Sequence, residues 1–255
     1  MGIFFDTYII APFTNLLLLI YGWVGNDFGW AIIVFTILTR LALFPLTNSQ
    51  VKSTKAMQDM QQSPEWQKIQ KKYKGDREKL AQEQMRLYQE MGVNPLGSCL
   101  PTLIQLPLII GLYRAIIGAL SVTPLQLFDL SKTISLGNAA ELLPLTSNFL
   151  WISDLSQPER VSFVIPILTI IVVITSYLQT KLMTPPSSTP GNEQAAAMTS
   201  SMTFMMPLML GFFSYTYSAG LALYFVTSNV ATIAQYALLG RLDWRNLIPG
   251  MAKKA

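Results

Sequence analysis

Residues 34–45 read VFTILTRLALFP and sit inside an apolar run, Phe28 to Leu46, that reads as a membrane span. Arg40 interrupts that run well inside it. A guanidinium at the centre of a membrane helix costs at least about 2.5–3.5 kcal/mol, so the reading of the whole chain turns on what receives it. Thr36, four residues earlier, shares its helix face, and Thr47 extends that face toward the polar segment that follows.

The rest of the chain supplies the setting. Of 255 residues, 51% are hydrophobic and only 13% charged, where a soluble domain carries about 25% charge. Mean hydropathy is +0.38. Five segments read as spans: 28–47, 96–120, 161–183, 201–217 and 219–240. The fold class expected is an all-α polytopic membrane protein with a core of five transmembrane helices. Residues 48–95 form a cytoplasmic helical hairpin, broken by Pro64 and turned at Gly75-Asp76, with Leu80, Gln84, Leu87, Tyr88 and Met91 on one face and Val51, Met57 and Met60 facing them. Residues 1–27 read as an amphipathic helix lying on the outer surface; spanning or an uncleaved signal are the alternatives, and Pro12, Asn15 and the lack of a basic flank weigh against both. A loop at 121–160, where Phe149 and Trp151 suit the interface belt, a linker at 184–200 and a tail at 241–255 complete the chain.

Charge placement orients these spans. Lys52, Lys55, Lys68, Lys71, Lys72, Lys74, Arg77, Lys79 and Arg86 crowd the 48–95 segment, and Arg241, Arg245, Lys253 and Lys254 the tail. The 121–160 loop has only Lys132 and Arg160, against Asp129, Glu141, Asp154 and Glu159. The basic side is cytoplasmic, which puts the N-terminus outside and the C-terminus in the cytoplasm. With no histidine, a single cysteine and no P-loop, GxSxG, HExxH or CxxC motif, the usual parts of hydrolytic, metal and ATP-driven chemistry are missing. We expect no enzyme, cofactor or metal site.

None of the five spans holds an Asp or Glu, so Arg40 has no acidic partner at its depth unless a loop folds back. It lies roughly 10 Å from the cytoplasmic end of its helix, at 1.5 Å per residue, deep for snorkelling to the headgroups. A water-filled cavity is the better setting. Gln105, Thr175, Ser176, Gln179, Thr227, Ser228, Asn229, Thr232 and Gln235 are polar positions on other spans; each alone reads as interhelical glue, and together with Arg40 they read as one hydrophilic pocket. A Met-rich and aromatic wall, from Met202 to Phe225, lies beside it.

The residues also carry a resemblance. TRLALFPLT (39–47), LYQEMGVNPLGSCLPTLIQLPLIIGLYRAI (87–116), FLWISDLSQP (149–158) and MTFMMPLMLGFFSYTYSAGLALYFVTSNVATIAQ (202–235) occur in that order. The chain resembles the YidC family of membrane protein insertases, within the wider Oxa superfamily, over residues 1 to about 245. The resemblance implies a hydrophilic groove open to the cytoplasm and to lipid and closed outside. It puts the groove arginine at Arg40, its nearby threonine at Thr36, the third-span glutamine at Gln179, and substrate-contacting aromatics at Phe213, Tyr224 and Phe225. Asn229 joins them as a polar groove residue. The cytoplasmic hairpin resembles a mobile targeting element, with Asp76 and Arg77 at its partner-contacting tip. The implied partners are nascent membrane proteins and the bilayer, with the ribosome, the SRP receptor and a Sec translocon as further ones, and no sequence-specific nucleic acid. The implied location is a bacterial plasma membrane. The competing reading is a small anionic solute transporter, which the absence of an internal repeat disfavours.

Overall fold

The computed structural model describes residues 6–61, 63–73, 75–92, 96–120, 145–159, 166–183, 193–240 and 242. The basic tail other than residue 242, residues 184–192 of the linker, the outer loop from 121 to 144 and Arg160 lie outside the described residues, as does the side chain of Arg77. A π turn, Asp6–Ile10, runs into α1 (Ala11–Trp23). Then come α2 (Phe28–Ala42), α3 (Phe44–Gln61), α4 (Pro64–Lys72), α5 (Arg77–Glu90), α6 (Leu96–Ala119), α7 (Ile167–Met183), α8 (Glu193–Thr216) and α9 (Ala219–Leu238). The fold is all-helical, and the described residues contain no strand, only one isolated bridge between Phe149 and Ile152.

Length and composition single out α9 as a helix able to cross a bilayer by itself. Gln105–Ala119 and Ile167–Met183 are shorter apolar helices, and Thr7–Trp23 with Phe28–Ala42 form an apolar pair bent by 119°. The bend follows from the sequence Gly25-Asn26-Asp27. Gly25 and Asn26 take left-handed φ of 79° and 62°, a conformation glycine and asparagine tolerate best. Asp27 then caps α2, its carboxylate accepting from the amides of Gly29 at 2.9 Å and Trp30 at 3.2 Å. In α1, Thr14 and Asn15 donate back to the carbonyls of Ile10 and Ala11, which leaves its buried face apolar: Leu17, Leu18, Ile20 and Tyr21 pack on α2 and α6.

The helices that carry the core expose apolar residues outward. Leu41, Leu106, Ile174, Leu208, Phe212 and Leu238 are each more than half exposed, while Thr36, Ser176, Ser228, Asn229 and Gln235 are buried between helices. An apolar exterior around a polar-threaded interior marks a bundle built for lipid.

One end of this bundle is closed by residues 145–159. The first amides of α9 and α7 have no intrahelical partner, and this segment satisfies them. The carbonyl of Gln157 accepts from Ala219 N and that of Leu155 from Gly220 N, both at 2.8 Å. The carboxylate of Glu159, 1% exposed, accepts from Leu168 N at 2.8 Å, Thr169 N at 3.1 Å and Trp151 Nε1 at 3.1 Å. Thr146 ties the segment to the α1–α2 turn through Tyr21 and the carbonyl of Asn26. Phe149 is therefore not at an interface: it is 6% exposed and lies over Gly29, where a Cβ would come within 2.1 Å of its ring. Only Trp151 of that pair, 38% exposed, faces outward in part.

At the other end, α3, α4 and α5 form a small core of Met60, Trp66, Leu87 and Tyr88 with Met57, Ile69 and Leu80 around it. Met57 and Met60 do meet the Leu80–Leu87–Tyr88 face. Trp66 and Ile69 of α4 are the unforeseen members. Val51 is buried but belongs elsewhere, and Met91 is exposed. Ser63 and Pro64 begin α4 anew, the Ser63 hydroxyl accepting from Trp66 N at 3.2 Å.

Two outcomes follow. Gly29→Val should push Phe149 out and lower stability by about 1–3 kcal/mol, the usual cost of overpacking; thermal denaturation in detergent reads it, and in a Phe149→Ala background the same substitution should cost much less, because the clashing ring is gone. At the hairpin tip, Asp76 caps α5 by accepting from Lys79 N at 3.1 Å, and that bond holds its carboxyl below the usual carboxylate value. Because the folded value is the lower one, the cap is fully present above the unfolded value and is lost as pH falls through the folded one. Asp76→Ala should speed hydrogen exchange in the first turn of α5 at neutral pH, and Asp76→Asn should do so less.

Candidate functional site

Arg40 occupies the last turn of α2 and is half-buried against α9. Its guanidinium donates through Nη2 to the Ser228 hydroxyl. Among the described residues Arg40 enters no ion pair; the ion pairs present there, Lys79–Asp76, Arg86–Glu83 and Arg86–Glu90, all belong to the α5 segment. The carboxylate census of the sequence thus holds in three dimensions over the described residues. What the sequence did not single out is the neutral partner, 188 residues away on α9.

Tyr224 stands one turn before Ser228 on the same face of α9. It is 1% exposed, interacts with Ser228, and its hydroxyl accepts from Gln105 Nε2 of α6. A polar path therefore runs Gln105–Tyr224–Ser228–Arg40 and links α6, α9 and α2. One turn beyond Ser228, Thr232 turns its hydroxyl onto the Ser228 carbonyl at 2.7 Å. Gln235 follows, donating to the Arg40 carbonyl at 3.0 Å. The positions 224, 228, 232 and 235 recur at helical spacing, the signal by which this stripe could have been found.

The other expected residues divide. Thr36 is fully buried, and its hydroxyl donates to the Ile32 carbonyl at 2.6 Å. Its hydroxyl is taken up within its own helix and presents no free donor. Asn229 donates to Thr175 Oγ1 at 3.1 Å and Ser176 Oγ at 2.8 Å: it ties α9 to α7. Gln179, on the same helix as those two, keeps a buried Oε1 with no partner among the described residues. Phe225 is 8% exposed and packs tilted on Tyr224 at 5.6 Å between centroids. Phe213 belongs to a separate group, 37% exposed near the end of α8, stacked on Tyr217, which meets Tyr113 of α6 edge-on. The three aromatics do not form one continuous wall. Asp76 serves as a helix cap and pairs with Lys79 at 3.3 Å.

Chemically, the arrangement offers one cation with a fixed hydroxyl neighbour, surrounded by neutral hydrogen-bonding groups. It can hold an anion by charge-assisted hydrogen bonds.

Comparison with known proteins places the chain in a family. The family described as 60Kd inner membrane protein matches residues 19–244. The "Membrane protein insertase YidC" of Oceanobacillus iheyensis is 35% identical over 254 residues, covering 98% of this chain and 86% of that protein. The "Membrane protein insertase MisCA" of Bacillus subtilis is 34% identical, with 92% and 79% covered. The chloroplastic ALBINO3-like protein 1 of Arabidopsis thaliana is 34% identical, with 85% of this chain but 44% of that protein covered. By the extent of the family match and the two-sided coverage of the bacterial relatives, the chain belongs to the YidC family of membrane protein insertases.

Proposed function

We propose that this chain inserts nascent single-span or few-span proteins into the bilayer, receiving their polar outer segments in a groove around Arg40. The observation that carries the reading is the state of Arg40: a half-buried guanidinium on an apolar helix, bonded to a serine and joined to no carboxylate among the described residues. A cation kept at that cost has a use for its charge. An acidic or strongly polar segment entering from the cytoplasmic side supplies the missing partner, and the planar fork of arginine suits a carboxylate.

In this reading the core has five spans, with α1 lying along the outer surface, the N-terminus outside and the C-terminus in the cytoplasm of a bacterial cell. The 145–159 end faces outward and α3 to α5 face the cytoplasm, following the excess of lysine and arginine in residues 48–95. Transfer of the apolar segment into lipid is the driving force, roughly 0.3–0.6 kcal/mol for each Leu, Ile, Phe or Val near the bilayer centre. No nucleotide is hydrolysed in this chain. The basic, helical α3–α5 unit is the surface to which a ribosome, an SRP receptor or a Sec channel would come, and Asp76 and Arg77 stand at its tip. The groove residues are Arg40, Thr36, Gln179, Asn229, Tyr224 and Phe225, with Phe213 on the lipid side.

The test is insertion in proteoliposomes. Arg40→Ala should lower insertion of single-span substrates with acidic outer segments about tenfold, the worth of one charge-assisted hydrogen bond, while neutral ones change little. Equal insertion of acidic substrates by Arg40→Ala and the parent chain would exclude Arg40 as the receiving group. Arg40→Lys should keep most of the effect if charge matters more than the two-pronged geometry.

A further inference from the structure

Gln235 follows Ser228 by seven residues on α9, so the two side chains stand on one helix face two turns apart. Both reach Arg40, at opposite ends of that residue. Ser228 accepts from the guanidinium; Gln235 donates from Nε2 to the main-chain carbonyl at 3.0 Å. Only the amino end of an amide can face a carbonyl, so the orientation of Gln235 is fixed chemically. Its Oε1 is left buried and without a partner among the described residues, and the residue as a whole is 6% exposed. A buried acceptor left unpaired is unfavourable. Packing alone would be served better by a leucine or methionine. The residue type is explained by the bond that its amino group makes.

That bond falls at the end of α2, beside a break in the helix. The helix ends at Ala42, and α3 begins at Phe44 after a break at Leu43. The Leu43 amide still makes the ordinary helical bond to the Thr39 carbonyl at 3.0 Å. Pro45, four residues after Leu41, has no N–H to give. Gln235 adds a tie from α9 to this last turn of α2.

We infer that Gln235 is a positioning residue for Arg40: by pinning the Arg40 backbone to α9 it fixes the point from which the guanidinium reaches, and so sets the preference for acidic outer segments. This rests on the function proposed above. Ser228 orients the head of the side chain, and Gln235 fixes its root against the break at Leu43.

The experiment uses the full chain in proteoliposomes and two single-span substrates that differ only in an outer Asp or Asn. The measured quantity is the ratio of their insertion. Gln235→Leu should lower that ratio about threefold to tenfold and leave insertion of the Asn substrate and the thermal midpoint unchanged. Gln235→Met, closer in shape, gives the same reading if the leucine variant does not accumulate. The double variant Arg40→Ala/Gln235→Leu should match Arg40→Ala alone, because residues acting through one group are not additive. A parental ratio in both Gln235 variants overturns the inference. So does an equal loss for both substrates, or a further loss on top of Arg40→Ala. If Arg40→Ala itself leaves the ratio unchanged, the receiving role of Arg40 fails, and the positioning role with it; a ratio that depends on Arg40 and not on Gln235 removes the positioning role alone.

Discussion

A guanidinium cannot be left dry and unpaired, and the arrangement of the bundle around α2 follows from that constraint. Arg40 forces a hydroxyl onto the facing side of α9, and Ser228 supplies it. Ser228 interacts with Tyr224, which takes a bond from Gln105, and the polar path reaches α6. Each of these groups would be costly alone among apolar neighbours. With Arg40 bonded to Ser228 and Gln105 bonded to Tyr224 one turn away, they are tolerated, and they help fix which faces of α2, α6 and α9 meet. The polar contacts thus specify the packing that the apolar residues stabilise.

The same accounting explains the opposite end. Helices α7 and α9 both begin there, and each would bury unpaired amides. Residues 145–159 answer with two carbonyls and one carboxylate, aimed at four amides: Ala219, Gly220, Leu168 and Thr169. Phe149, Ile152 and Leu155 then fill the space between helices. Gly29 is glycine because Phe149 of this segment passes too close for a side chain, and Gly220 is closely packed by Ile116, Ile32 and the Leu155 carbonyl. Backbone satisfaction and packing here are one feature.

Much of this was legible in the sequence because it was local. Thr36 and Arg40 share a face by spacing, Pro64 had to restart a helix, and Asn229 had to bond a neighbour. What was not legible depended on contacts between distant segments. No local pattern tells that Ser228 rather than Thr227 meets Arg40, or that the Thr36 hydroxyl is consumed by its own helix. Phe149 beside Trp151 read as an interface pair because aromatic composition is the same in a belt and in a core; only the glycine at 29 decides between them. The break at Leu43 divides a run whose hydropathy is continuous, since hydropathy does not register a missing N–H at Pro45. Family resemblance carried the site assignment further than spacing did, yet Phe213 and Phe225 lie in different environments, one outward and one in the core.

The closed end also has an electrical meaning. In the orientation proposed above, with residues 145–159 outward, a wet path entering from the cytoplasm would stop at their packed side chains. A molecule arranged in that way would be an insulator with a recess. The voltage across the membrane then falls over the packed layer and not over the full bilayer thickness, as in any dielectric with a conducting pit. The field inside that layer is steeper in proportion. A carboxylate held at Arg40 would stand at the foot of this gradient, with the positive outer side ahead of it and about 2.3 kcal/mol per 100 mV to gain in crossing.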